Sequence, residues 1–411
     1  MPAERRAVAV VFLALGAWTG TYVSRLPWIA ERLHLSSGVL GMVGLAAGIG
    51  AVTTMPFAAR YVHAHGAKAA TRVLIAGSGL VLVLPALAPN AVLLAIALLL
   101  AGAIVGNTDT AMNVQGVAAE GRIGKSIMSG LHGMWSVGVV VGAFTGALAA
   151  REHVDPRLQF AVMGGLILAG GVTATFWFAD EPPLGGEPRQ AARRGKAAAA
   201  RGEAAAVPYF AWPRGVAMLL GLMAFAAIFV EFTANDWSAL FMRWELHTSQ
   251  ATAAAATGVF ALTMAAGRLS GDAVIRRLGP ERCVRMSGLI ATAGSLLVAF
   301  APGPAAAFAG FMLVGIGVAV VVPLVFVAAG RCPPAPAISI AGVATLGYGA
   351  GLAAPSMMGG VADVFSLRVA FAVASLIALA IAAGAGLLAA GASSDAGFRT
   401  AAARAFRRRS A

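Results

Sequence analysis

Three polar side chains lie at helical spacing inside one of the most apolar stretches of the chain. They are Asp109, Asn113 and Glu120, within Gly102-Ala-Ile-Val-Gly-Asn107-Thr-Asp109-Thr-Ala-Met-Asn113-Val-Gln115-Gly-Val-Ala-Ala-Glu120. On a helix Asn113 sits about 40° around the axis from Asp109 and Glu120 about 20°, so one face carries all three, while Gln115 points away. The rise from Asp109 to Glu120 is about 16 Å, which sets Asp109 towards mid-membrane and Glu120 near a surface. An ionisable group at membrane depth costs roughly 3 kcal/mol or more, and groups kept at that cost mark solute paths and proton relays. A second set is Glu231, Asn235 and Ser238 on one helix face, with Asp236 about 140° from Glu231. The chemistry open to such groups is hydrogen bonding of a polar solute and exchange of a proton near neutral pH. The plainer alternative for Asp109 is a buried carboxyl bonded to a neighbouring helix for packing. Glu120 can be half of a solvated ion pair with Arg122.

The elements that must position these groups follow from composition. Of 411 residues 59% are hydrophobic and 11% charged, too little charge for a water-soluble domain of this length. Apolar runs of about 20 residues, enough to span the hydrocarbon, recur twelve times. They cover 7–33, 38–63, 69–88, 91–120, 126–150, 158–179, 213–243, 251–277, 283–301, 304–329, 336–361 and 366–390. A continuous apolar run must satisfy its own backbone in lipid, so the expected class is all-α and polytopic.

A net charge of +13 would suggest nucleic acid if it formed one patch, but the basic residues are dispersed through short loops. With the N-terminus inside, the outer loops receive six of the 30 Lys and Arg residues, namely Arg25, Arg32, Arg151, Arg157, Arg243 and Arg368, and the inner side the other 24. That asymmetry places both termini and the central loop in the cytoplasm of an inner-membrane protein. Arg5-Arg6 and the apolar run after them start like a secretory signal, but the run continues to Trp18 and Tyr22 without an Ala-x-Ala site and reads as the first span. Cys283 and Cys332 fall at inner helix ends, where a disulfide is not expected, and their spacing offers no metal site.

Residues 180–212 hold few large apolar groups and read as a cytoplasmic linker between two six-helix halves, 1–179 and 213–390, with a basic tail at 391–411. The halves resemble each other. A shift of 209 lays Gly106, Gly121, Arg122, Gly133, Gly138 and Gly142 on Gly315, Gly330, Arg331, Gly342, Gly347 and Gly351, and a shift of 213 lays Gly66 and Arg72 on Gly279 and Arg285. Two related six-helix halves are the plan of a secondary transporter, with its site between them near mid-membrane. The same shift of 209 sets Asn107, Asp109, Asn113, Gln115 and Glu120 on Ile316, Val318, Val322, Leu324 and Ala329, so the second copy does without any of them.

The inner loop Gly267-Arg-Leu-Ser-Gly-Asp272-Ala-Val-Ile-Arg276-Arg277-Leu-Gly279 resembles the signature between helices 8 and 9 of the major facilitator superfamily. Arg25-Leu-Pro27-Trp28, the block from Asp109 to Glu120, Met128-Ser-Gly-Leu-His132-Gly-Met-Trp135-Ser136, and Glu231 with Asn235-Asp236-Trp237-Ser238 resemble a bacterial inner-membrane branch of it, mostly of unassigned substrate and distantly similar to the fucose/proton symporter. The resemblance implies twelve helices in two pseudo-symmetric halves. It also implies that helices 1 and 7 meet across those halves, which would set Arg25 and Asp236 together as an outer gate pair; simple hydration of both is the alternative. The first-half loop Pro56-Phe-Ala-Ala-Arg60-Tyr-Val-His63-Ala-His65-Gly66 has no acid where Asp272 stands, so a gate lock of Asp272 with Arg268, Arg276 and Arg277 carries over to the second half alone.

Other candidates have a plainer reading beside the functional one. His132 could relay protons or meet solute with Trp135 and Ser136, or pack. Trp18, Tyr22 and Tyr348 could stack on a solute, or serve the interface. Gly138, Gly142 and Gly146 let a neighbouring helix approach closely; they resemble the glycine signature of drug/proton antiporters, except that Ala143 stands where that signature has proline. Met112, Met128, Met134 and Met264 read as packing, and Arg404 to Arg409 as a flank attracted to anionic lipid. No phosphate loop, nucleophile motif or metal constellation argues for an enzyme, and no cofactor is implied. The expectation is a monomeric carrier, partnered by a small polar organic solute, protons and the bilayer. The candidates are Asp109 and Glu231 for the proton; Asn113, Asn235, His132, Trp135, Tyr22 and Tyr348 for solute; and Arg25, Asp236, Glu120, Arg122, Asp272 and Arg276 for gating. An exporter of amphipathic compounds, with a greasier and more aromatic cavity, is the alternative.

Overall fold

A computed structural model describes residues 2–124, 127–179, 215–332 and 336–388. The expected linker 180–212 and tail 391–411 lie outside the described residues, as does the side chain of Asp272. All regular elements among the described residues are helical. In the first half they are α1 (Pro2–Ser24), α2 (Leu26–Arg32), α3 (Ser37–Val81), α4 (Leu84–Leu87), α5 (Ala91–Ile123), α6 (Met128–Arg151) and α7 (Pro156–Ala174). The second half holds α8 (Val216–Trp244), α9 (Gln250–Leu278), α10 (Pro280–Ala299), α11 (Pro304–Val318), α12 (Val321–Ala329), α13 (Pro336–Val364) and α14 (Leu367–Ala383). Among the described residues eleven helical stretches are long and apolar enough to cross a membrane. The remaining expected run, 336–361, is α13, whose 29 residues reach about 43 Å. The chain is a multi-pass membrane protein.

Local chemistry explains the breaks. Within α3 two spans meet at Gly66 (φ 82°, ψ 157°), and α9 meets α10 at Gly279 (φ 77°, ψ 159°). A side chain is disfavoured in that conformation, and glycine is not. These are the residues that the 213 shift superposes, so the repeat extends to the backbone of equivalent turns. At the end of the bundle away from the start of α1, here the far end, helices begin on side-chain caps. Ser36, Asn90, Ser249 and Ser366 accept hydrogen bonds from the backbone N–H groups of Val39, Leu93, Thr252 and Val369.

Lipid supplies no hydrophobic drive between helices, so close approach depends on small residues. A Cβ on Gly16 or Gly20 would strike the backbone carbonyls of Trp135 or Val139, and one on Gly138 or Gly142 those of Leu13 or Ala17. The expected glycine ridge of α6 is thus half of a two-sided seam with α1. Gly142→Leu should force these helices apart, with loss of monodisperse protein in detergent size-exclusion chromatography; a normally eluting variant would show the seam to be slack.

One apolar cluster fills the first half, around Phe12, Ile75, Leu94 and Phe160. Another lies in the second half around Leu220, Val284, Val325 and Val343. A third joins the halves: Val23, Leu26, Ala30 and Leu40 pack with Phe229, Trp237, Phe241 and Met358.

Candidate functional site

Between the halves lies a cavity of about 450 Å³, walled by α1, α3, α5 and α6 on one side and α8 and α13 on the other. Asp109 is the lining residue of α5 nearest the end where the chain starts, and Tyr348 holds the same place on α13. Tyr348 is 58% exposed, so the chamber is open on that side. Tyr22, Trp135, Phe232, Trp237 and Tyr348 give it aromatic walls, and Asp109 and Asp236 are its charged residues. A chamber of about 200 Å³ adjoins it, sharing Thr19, Tyr22, Trp135, Phe232 and Asp236 and adding Ser136, Glu231 and Asn235. Of the expected solute and proton candidates, Asp109, Glu231, Asn235, Trp135, Tyr22 and Tyr348 therefore converge on one space. Asp236 joins them, although expected at the outer surface.

Two candidates do not line either chamber. Asn113 donates to the backbone carbonyl of Asp109 at 2.8 Å, a bond within its own helix. His132 packs edge-on against Phe12, ring centroids 5.4 Å apart. Neighbouring polar groups prove structural. Asn107 donates to the Thr54 hydroxyl at 2.7 Å, Trp18 to the Ser78 carbonyl at 3.0 Å, and Ser238 bonds the Thr257 hydroxyl at 3.2 Å.

Glu231 is not the unaccompanied carboxylate that its own helix suggests. Arg268 reaches from α9 and donates through one Nη to both carboxylate oxygens, at 3.0 and 3.2 Å. Its other Nη lies 3.4 Å from the Ser136 hydroxyl of α6, in the opposite half. Side chains on a helix lean towards its N-terminus, so Arg268, expected in a lock with Asp272, reaches along α9 towards α8; the Asp272 side chain lies outside the described residues. The pair is largely shielded, its side chains 25% and 15% exposed.

The expected Arg25–Asp236 gate is not formed, although the far end is closed. Arg25, at the break between α1 and α2, is 3% exposed and turns into its own half, donating to the Val154 carbonyl at 3.0 Å. Asp236 accepts from the Asn235 amide at 2.7 Å instead. The far-end clasp is Glu31 of α2, which takes Arg243 of α8 at 2.5 Å and the Gln250 amide of α9 at 2.9 Å. Beside it the Gly38 N–H donates to Asp363 at 3.1 Å, and a Cβ on Gly41 would lie 2.5 Å from the Pro355 carbonyl, so α3 and α13 touch there. Glu31 and Arg243 are about one-third exposed, a setting in which an ion pair contributes about 1 kcal/mol. Arg243→Gln should therefore raise far-end access to the cavity about 5-fold, read by alkylation of a cavity cysteine, and unchanged access would leave closure to the apolar seal.

The candidates expected at the inner end divide. Glu120 accepts the backbone N–H groups of Ile127 and Met128 at 2.7 and 3.0 Å, an anion at the start of α6 where the helix dipole favours it. Arg122 pairs with Glu4 of α1 at 2.5 Å. Both of these contacts join elements of the first half. Arg276 is exposed in the last turn of α9, where a cation suits the dipole.

Two helical halves around a membrane-embedded cavity, clasped at one end and open at the other, define a secondary transporter of the alternating-access kind. The chain belongs to the major facilitator superfamily, whose family model matches residues 7–354. An uncharacterised MFS-type transporter of Yersinia pestis is 34% identical over 384 residues, covering 93% of this chain and 94% of the relative. Among solved structures, a single-residue mutant of the nucleoside transporter NupG aligns with a TM-score of 0.72 at 14% identity, over 94% of this chain and 99% of the other. The Escherichia coli fucose/proton symporter aligns with a TM-score of 0.59 at 15% identity, over 93% and 98%. At these identities the two structures speak for the shared fold, and the family together with that fold marks the chain as a transporter rather than an enzyme.

Proposed function

We propose that the protein is a proton-coupled carrier of a small polar organic solute in the cytoplasmic membrane, with its termini inside. The observation that carries this reading is the Glu231–Arg268–Ser136 arrangement. It ties a titratable carboxylate of α8 to the contact between the halves, beside the chamber that would hold solute. Protonation of Glu231 removes the negative partner of Arg268 and loosens its hold near Ser136. A proton on this group thereby alters the relative stability of the two gate states, which is what coupling requires. Asp109, at the open mouth of the larger cavity, meets either solute or a second proton. The carrier acts as a monomer, and its partners are the solute, protons and lipid.

The aromatic walls favour a second reading, a proton-driven exporter of amphipathic compounds. Reconstituted vesicles with an imposed pH gradient test both. Accumulation of a radiolabelled solute on the alkaline side would mark symport, and gradient-driven movement towards the acidic side would mark export. Solute movement indifferent to the pH gradient would sink proton coupling in either form.

A further inference from the structure

The charge of the cavity restricts what it can hold. Asp109 and Asp236 both line it, and neither forms an ion pair among the described residues. Among those residues no Lys, Arg or His lines either chamber. Arg268 touches the smaller chamber's Ser136 and Glu231, but its charge is matched by Glu231. The Asn235 amide directs one of its two N–H groups to Asp236, and the one that remains is a neutral donor that cannot balance an anion's charge. An anionic solute would thus enter a low-dielectric space facing two carboxylates with no cation free to receive it, whereas a protonated amine would find both carboxylates and the faces of Tyr22, Trp135, Trp237 and Tyr348.

Building on the transport reading, we propose that the cavity selects solutes bearing a positive charge, an ammonium group on an organic body, and rejects carboxylates and phosphates. Asp109 and Asp236 supply the counter-charge. Glu231, already balanced by Arg268, stays outside that pairing and is left for the proton.

A thiol at Thr19, which lines both chambers, reads this directly with no need to know the solute. The background replaces Cys283 and Cys332, both buried, by serine. Thr19→Cys is then treated with methanethiosulfonate reagents carrying trimethylammonium, hydroxyl or sulfonate groups, each rate being normalised to that of free 2-mercaptoethanol. Focusing of field in a low-dielectric cleft raises local counter-ion concentration by about 10-fold or more. The cationic reagent should accordingly outpace the anionic one by at least that ratio, with the neutral reagent between them. Asp109→Asn with Asp236→Asn should collapse the ratio to that of free thiol. Equal normalised rates for the two charged reagents, or faster sulfonate reaction, would overturn cation selectivity while leaving the cavity in place. Unreactivity towards all three would overturn the open cavity itself, and the proposal with it.

Discussion

Glu231→Gln should abolish gradient-driven solute accumulation, by at least 10-fold, while downhill exchange continues. Exchange needs the halves to rock about a loaded site, whereas accumulation needs the proton to bias one gate state. The variant removes that bias and keeps the side chain's shape. It also leaves Arg268, 25% exposed, without a counter-charge, which should cost about 2 kcal/mol, less than in a fully buried pair. The double variant Glu231→Gln with Arg268→Gln should recover most of that stability and none of the coupling. Thermal melts and vesicle flux on the four proteins of the cycle separate the two effects. Equal loss of exchange and accumulation would place Glu231 in solute binding or folding instead of coupling.

Asp109→Asn should leave stability nearly unchanged and reduce transport at least 10-fold. Its carboxylate lines the cavity, and no ion pair of it is found among the described residues, so amide replacement strands no partner. A melting temperature close to the parent's, with solute flux near background, is the expected pattern. Destabilisation with transport retained would return Asp109 to the packing role that its sequence position also allowed.

The membrane plan was legible because it depends on local properties: run length and the spacing of glycines. Gly66 and Gly279 could be paired from sequence since a positive-φ turn demands glycine at equivalent places in both copies. Asp109 was singled out by the repeat, and Glu231 and Asn235 by a shared helical face, whereas Tyr22, Trp135 and Tyr348 were candidates by residue type alone. Partner choice was not legible. Helical arithmetic fixes which residues share a face of one helix, but says nothing of which long side chain arrives from another. Arg268 was therefore assigned to the inner loop, and Arg25 was matched with Asp236. Glu31 and Arg243, opposite charges at the same membrane depth, carried the available signal for the clasp. Glu120 shows the same limit, because an acid a few residues before the next helix can cap it, a contact that spacing within its own helix does not reveal.

Spin-label distances measured across both ends of the bundle test the central claim most directly. In a background without Cys283 and Cys332, one pair at Glu152 and Phe300 reports the far end and another at Gly121 and Arg277 the opposite end, all four positions being exposed. Between acidic and alkaline pH the two distances should change in opposite directions in the parent protein, one end closing as the other opens. In Glu231→Gln both distributions should become insensitive to pH. Distances fixed at both ends, or a pH response that survives Glu231→Gln unchanged, would contradict coupling of the proton to the gates through Glu231 and Arg268.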